Sequence, residues 1–256
     1  MRQLVGVTDA AAFDNPTGAP VFDFVEPAAF DSVFDFGCGC GRLARQLIQQ
    51  QPRPSRYLGI DLHAGMIAWC DRHLSPLAPN FEFRHHDVYN YHFNPGSDKP
   101  RVLAFPTEDT FSLVEAWSVF THLTEDQTVQ YLAEVKRILA PSGEFHSTWF
   151  LFDKSDGFPM MTDAQNALYV AVVDPSAAVI YDRSWLRRAA EAVGLVIYKV
   201  WPVVPAARGF QWHVLMCESG RRPAMEWPAE TRPAGTWNRP PDMPRQPTQI
   251  GLVHDE

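Results

Sequence analysis

Between Val33 and Asp61 the chain reads VFDFGCGCGRLARQLIQQQPRPSRYLGID, and no other stretch limits its fold as much. A short apolar run, Val33 to Phe36, must turn within a few residues into a helix whose apolar face is Leu43, Ala44, Leu47 and Ile48. Gly37, Gly39 and Gly41 occupy that turn, alternating with Cys38 and Cys40. Without a Cβ, glycine opens unusual φ values to the backbone and lets a ligand approach the main chain. The next strand, Tyr57 to Ile60, ends in Asp61. That acid comes roughly 20 residues past the glycines, where the end-of-strand carboxylate of such units accepts ribose hydroxyl hydrogen bonds. The unit reads as a nucleoside site.

The spacing inside the turn narrows the choice. A dinucleotide fingerprint is G-x-G-x-x-G with a pyrophosphate on the helix N-terminus, whereas here the third glycine comes one residue early and Arg42 follows. A P-loop needs Gly-Lys-Ser/Thr, and no lysine follows Gly41.

At these residues the chain resembles the class I S-adenosylmethionine-dependent methyltransferases. Phe34-Asp35-Phe36-Gly37-Cys38-Gly39-Cys40-Gly41 is similar to their first motif, and Asp61 falls where their ribose-binding acid sits. Phe83-Arg84-His85-His86-Asp87-Val88 resembles their third motif, in which an acid meets the adenine amino group. Phe111 to Leu123 resembles the fourth strand and the segment after it, and Tyr131 to Glu144 the helix and turn before strand five. The motifs run in order through most of residues 32 to 217. One departure is Ser112, where the family often carries an acid; it removes a candidate polar anchor.

The resemblance implies an α/β fold, a Rossmann-like doubly wound, mostly parallel seven-stranded sheet with an antiparallel last strand. It implies S-adenosyl-L-methionine as cofactor, held by Asp35, Gly37, Cys38, Gly39, Gly41, Asp61 and Asp87. Leu62, Val88 and Trp117 are candidate adenosine walls and equally candidate core residues.

The chain's 256 residues are 46% hydrophobic, enough for one main domain with decorations. A net charge of −8 and a pI near 5.6 disfavour nucleic acid and membrane surfaces as partners, since readers of phosphate carry basic patches. No apolar stretch approaches the roughly 18 to 20 residues of a bilayer span, and Met1-Arg2-Gln3-Leu4-Val5-Gly6 lacks the apolar core of a secretory signal. The expected compartment is the cytoplasm. The four cysteines, two in the turn and two isolated at Cys70 and Cys217, form neither a disulfide framework nor a zinc-ligand pattern. No HExxH or i, i+4 histidine pair suggests a metal.

Residues 1 to 31 read as a cap lying over the cleft, and residues 32 to 218 as the main domain. Strands are expected at 32 to 36, 57 to 60, 81 to 85, 111 to 117, 144 to 151, 195 to 201 and 211 to 218. Helices are expected at 41 to 50, 64 to 73, 125 to 139 and from Asp182 through Ala192. The alternation means a parallel sheet with right-handed crossovers. Residues 94 to 109 read as a loop. Residues 152 to 181 form an aromatic insertion, with Phe152, Phe158, Met160, Met161, Tyr169 and Tyr181, that reads as a substrate lid or as a packed surface layer. Residues 219 to 256 hold too many prolines for helix or sheet, with Trp227 and Trp237 able to dock the tail.

Methyl transfer from a sulfonium is an in-line displacement, so nucleophile, methyl and sulfur must be aligned and a hydroxyl nucleophile must lose a proton. His122 is the candidate base, because an imidazole accepts a proton near neutral pH; its structural alternative is capping the helix that begins near Thr124-Glu125. Of His85 and His86, one must face away from the site. Trp149, Phe152 and Gln211, reached through Gly209-Phe210, are expected beside the acceptor, where rings stack on a sugar or a flat scaffold, or else they pack in the core. The reading is a methyltransferase acting at O or N of a small molecule, a sugar or secondary metabolite. Two alternatives stand beside it: a non-catalytic S-adenosylmethionine-binding module, and a nicotinamide-dependent oxidoreductase, which the early third glycine opposes. Monomer and homodimer both remain open.

Overall fold

A computed structural model describes residues 9–157, 161–162, 164–169, 171, 174–201 and 211–228. Five parallel strands form its centre: β1 (Ser32–Phe36), β2 (Arg56–Asp61), β3 (Phe81–His85), β4 (Phe111–Ala116) and β5 (Leu139–Phe152). They lie in the order β3-β2-β1-β4-β5, with Asp35 beside Gly59 on one side and Glu115 on the other. β1, β2, β4 and β5 are buried along most of their length, as a covered parallel sheet requires, whereas the edge strand β3 alternates buried Phe81 and Phe83 with outward Glu82 and Arg84.

The helices follow from their periodicity. In α1 (Arg42–Gln49) the buried residues are Leu43, Ala44, Leu47 and Ile48, the predicted stripe. Helix α2 (Ala64–His73) starts at His63, whose ring accepts from Met66 N at 3.3 Å. Helix α3 (Glu125–Ile138) starts at Thr124, with the Gln127 carboxamide oxygen 2.8 Å from Thr124 N. The one-turn α4 (Lys154–Gly157) follows β5, and α5 (Arg183–Ala192) is capped by the Asp182 carboxylate, which accepts from Trp185 N at 3.1 Å.

All seven expected strands are present. The last pair is β8 (Leu195–Trp201) and β9 (Gln211–Glu218), with β9 antiparallel to both β5 and β8. Two further strands come from the insertion expected to be a lid. β7 (Val179–Asp182) adds parallel to the end of β5, and β6 (Ala167–Tyr169) pairs antiparallel with β7. The described part of the insertion is therefore joined to the sheet. Phe158 and Met160 lie outside the described residues.

The expected cap is continuous with the core. Phe22, Val25, Ala29 and Phe30 are buried in one cluster with Val33, Leu47 and Tyr57. At the opposite end of the chain Met225 and Trp227 pack on the main core, and Arg183 donates to Pro228 O at 2.7 Å and Arg187 to Met225 O at 2.6 Å. Trp227 docks as the sequence allowed; Trp237 lies outside the described residues.

Ser112 stands at the start of β4, remote from the strand ends that carry the glycine turn. Its hydroxyl accepts from Ser32 N at 2.8 Å and donates to Ala29 O at 2.8 Å, stitching the starts of β1 and β4 together. An acid there would lie at the far end of the strand from a cofactor, so the departure costs no anchor.

Candidate active site

The glycine turn closes β1 onto the end of β2. Gly37 N and Cys38 N both donate to Ile60 O, at 2.8 and 3.0 Å. Gly37, Gly39 and Gly41 have φ of +82°, +55° and +76°, a left-handed path that a Cβ would strain. At Gly37 an added Cβ would also meet Val119 Cγ2 at 2.4 Å.

Asp61 secures this turn from the other side of the cleft. One carboxylate oxygen accepts from Gly39 N at 2.9 Å and the other from His63 N at 2.8 Å. Burial raises its pKa, and those two backbone N–H bonds and the nearby imidazoles of His63 and His85 pull it back. Asp61 thus joins the glycine turn to the start of α2 and still presents a carboxylate to the cavity.

That cavity opens at the C-terminal ends of β1, β2 and β4 and has a volume of about 880 Å³. Ligand pockets run from roughly 300 to 1,000 Å³, so there is room for a nucleoside and a second small molecule. Of the expected cofactor residues, Asp35, Gly37, Cys38, Gly39, Asp61, Leu62, Val88 and Trp117 line it, as do His122 and Gln211.

Four expectations are corrected. Asp87 does not line the cavity: its carboxylate accepts from Asn94 Nδ2 at 3.0 Å, which with a bond from Ser97 holds its pKa below the usual range. Gly41 forms the turn but its missing Cβ leaves room for Leu74 and Cys70 instead of for a ligand. Trp149 is fully buried, stacked on Phe120 with centroids 4.4 Å apart, and its indole N–H donates to Ser147 Oγ. Phe152 is fully buried with Ile180, Met161 and Leu168. Both rings are core. Gly209 and Phe210 lie outside the described residues.

Gln211 lines the cavity. Its amide donates to Ser118 Oγ at 2.5 Å, and Ser118, with φ of +58°, is held in the left-handed region while its N–H donates to Thr148 Oγ1 at 2.7 Å. A non-glycine residue in that conformation is over-determined by its surroundings, and such residues gather at functional sites.

His122 lies in a short turn of 3₁₀ helix, Phe120–His122, with its ring edge-on to Phe93. Its Nδ1 is 3.0 Å from Ser176 O. A carbonyl only accepts, so Nδ1 carries the hydrogen and Nε2 keeps its lone pair. Burial holds the pKa of His122 below 6.5, opposed by bonds to the backbone at Ser176 and Ala177. It does not cap α3, which Thr124 and Gln127 close without it. Of the adjacent pair, His86 turns inward to the Tyr131 hydroxyl at 3.0 Å, and burial lowers its pKa to about 4. His85 reaches Leu62 O on the exposed side.

Sequence reasoning missed several wall residues. Phe22 and Phe24 come from the N-terminal segment, and Tyr89, Phe93 and Arg101 from the long loop after β3. Arg42 was legible as the residue after the third glycine; its guanidinium lies 4.8 Å above the Trp117 ring. Asp35, buried on the wall, accepts from Tyr57 OH at 2.6 Å, yet burial, joined by the charges of Glu115 and Asp61, lifts its pKa to about 7.

Residues 33–143, a span that runs from the glycine turn through the turn before the main body of β5, match a methyltransferase domain. Solved structures agree with its fold. The O-methyltransferase of a polyketide synthase multienzyme from Brevibacillus brevis, in complex with S-adenosyl-L-homocysteine, is similar at 12% identity and a TM-score of 0.57, over 76% of this chain and 68% of that one. An S-adenosylmethionine-dependent methyltransferase from Clostridium acetobutylicum is similar at 14% identity and a TM-score of 0.51, over 75% and 85%. An O-methyltransferase from neocarzinostatin biosynthesis, bound to S-adenosylmethionine and a hydroxylated naphthoic acid, is similar at 15% identity and a TM-score of 0.52. That likeness spans 76% of this chain and half the length of the neocarzinostatin enzyme. At such identities the likeness concerns the fold alone.

Proposed function

We propose that the protein is an S-adenosylmethionine-dependent methyltransferase acting on the oxygen of a small, flat, hydroxylated molecule. The cradle fits the cofactor: Gly37, Cys38 and Gly39 line the cavity with backbone in the turn, and Asp61 offers acceptor oxygens beside Leu62 and Val88. Asp61, Gly39 and Leu62 would hold the nucleoside, and Asp35 and Arg42 the charged amino-acid end. When bound, the cofactor supplies an electrophilic methyl group on a sulfonium.

The observation that carries the oxygen reading is the tautomer of His122. With Nδ1–H committed to Ser176 O, Nε2 keeps the lone pair on a ring that lines the cavity, and it would take the proton of an acceptor hydroxyl. The rings of Phe22, Phe24, Phe93 and Trp117 line the same space and suit a flat acceptor. Ser118 and Gln211 add polar groups that would orient it. The neocarzinostatin enzyme binds a hydroxylated naphthoic acid in a similar fold, which supports the same class of acceptor here.

The test is incubation of the purified protein with methyl-labelled S-adenosylmethionine and a panel of phenolic acids, sugars and amines. Label appearing on a phenolic oxygen, and lost in His122→Gln, supports the proposal. Transfer to amines alone, or binding of cofactor with no transfer to any acceptor, contradicts it.

A further inference from the structure

Three ionisable side chains from three strands form a buried chain that the methyl-transfer step itself does not use. Glu115 on β4 has one carboxylate oxygen 2.6 Å from His146 Nδ1 on β5, and His146 Nε2 lies 2.9 Å from His213 Nδ1 on β9. Glu115 and His146 are completely buried and His213 half-buried. The other oxygen of Glu115 has no hydrogen-bond partner among the described residues. Such groups are costly to bury unless they are hydrogen-bonded or paired.

The groups that face this chain come from every neighbouring element. Asp35 stands beside Glu115 in the register of β1 and β4, Tyr57 of β2 binds Asp35, and Arg42 of α1 is the nearby cation of both carboxylates. Asp61, at the end of β2, adds its charge to Asp35. The N-terminal segment covers the histidines with the rings of Phe22 and Phe24, and Trp117 stands edge-on to both imidazoles. Phe22, Phe24, Trp117, Asp35 and Arg42 all line the cavity. The chain therefore runs from the carboxylates behind the cavity wall to a half-buried imidazole.

We propose that Glu115, His146 and His213 form a proton exit through which arrival of the sulfonium cofactor expels one proton from the buried carboxylates. The inference rests on the cofactor assignment under the proposed function. Two arrangements satisfy the same heavy-atom contacts. In the first, protonated Glu115 donates to His146 Nδ1, and His146 Nε2–H donates to His213 Nδ1. In the second, His146 Nδ1–H donates to the Glu115 carboxylate, and His213 Nδ1–H donates to His146 Nε2. Passing from first to second moves the Glu115 proton to His146 Nδ1 and the His146 Nε2 proton to His213 Nδ1, while His213 releases its Nε2 proton to water. One proton leaves, and both imidazoles change tautomer together. Burial favours the first arrangement in the free protein, since it holds Glu115 well above its ordinary pKa and both imidazoles neutral. A cation added beside Asp35 and Arg42 favours ionised carboxylates and hence the second. The demethylated cofactor lacks the sulfonium charge and leaves the first in place.

The test is calorimetric titration of the full chain near pH 7 with S-adenosylmethionine and with S-adenosylhomocysteine, in buffers of different ionisation enthalpy. The sulfonium is expected to release about one proton more than its product, so that its affinity alone rises about tenfold per pH unit. The carboxamide of Glu115→Gln has no proton to give up, so no proton can leave through the chain, and the difference between ligands disappears while S-adenosylhomocysteine still binds. Nitrogen-15 spectra of the histidines should show His146 and His213 changing tautomer together with the sulfonium and neither with its product. Equal proton release for the two ligands, or a difference that survives in Glu115→Gln, overturns the proton exit and leaves the cofactor assignment standing. Binding of neither ligand overturns both.

Discussion

Nδ1 of His122 lies 3.0 Å from the carbonyl oxygen of Ser176, fifty-four positions along the chain. The contact links the segment after β4 to the insertion before β7, and it fixes which ring nitrogen can act as a base. The described part of the insertion thus touches the site through its backbone, while its aromatic side chains Phe152 and Tyr181 are in the core.

If Nε2 of His122 takes the acceptor proton, His122→Gln should lower turnover about 10²-fold or more, with affinity for S-adenosylhomocysteine unchanged. The pH profile reflects the lowered pKa: neutral imidazole is the active form, so activity should persist below pH 6.5 and fall only as pH drops through the depressed value. Steady-state rates across pH 5 to 8 check both, and a loss already complete at pH 6.5 would remove His122 from the role.

Asp35 titrates near 7 in the folded chain against an ordinary value of 3.8. Its folded pKa is raised, so the folded state holds a proton that the unfolded state gives up. This contribution to stability is complete below about pH 3.8 and is lost as pH rises through about 7. The melting temperature of wild type relative to Asp35→Asn should therefore decline between pH 4 and 7, and a constant difference would show that Asp35 is ionised throughout. His146, buried neutral, slopes the opposite way below pH 6.5 in both proteins, so only the comparison isolates Asp35.

Trp149→Ala should cost about 3–5 kcal/mol of stability, the usual effect of removing a large buried ring, because its indole is packed on Phe120 and Tyr181. Conditions that keep the variant folded should leave acceptor KM unchanged. A raised KM with unchanged denaturation midpoint would return Trp149 to the acceptor site.

The glycine turn, α1 and Asp61 were legible because each is a local pattern: left-handed glycines, a helical stripe, an acid at a strand end. Trp149 and Phe152 were misread because an aromatic at the end of a strand looks the same whether it faces a cleft or the core. Pairing with β7 and β9 on either side of β5 decides that, and β7 was hidden in an insertion without clear alternation. Asp87 matched a motif position, but the loop after β3 folds back so that Asn94 claims its carboxylate. Glu115, His146 and His213 are separated by 31 and 67 residues, and only the sheet order brings them into contact.

The central claim is that the turn from Gly37 to Gly41, together with Asp61, holds the nucleoside of S-adenosylmethionine. Calorimetric titration of the wild-type chain and of Asp61→Ala with S-adenosylhomocysteine and NADH tests it most directly. The account predicts binding of S-adenosylhomocysteine, no binding of NADH, and an affinity about 30-fold weaker in Asp61→Ala, equivalent to about 2 kcal/mol for a lost carboxylate contact. Equal affinity in the two proteins, or binding of NADH in preference, would contradict it.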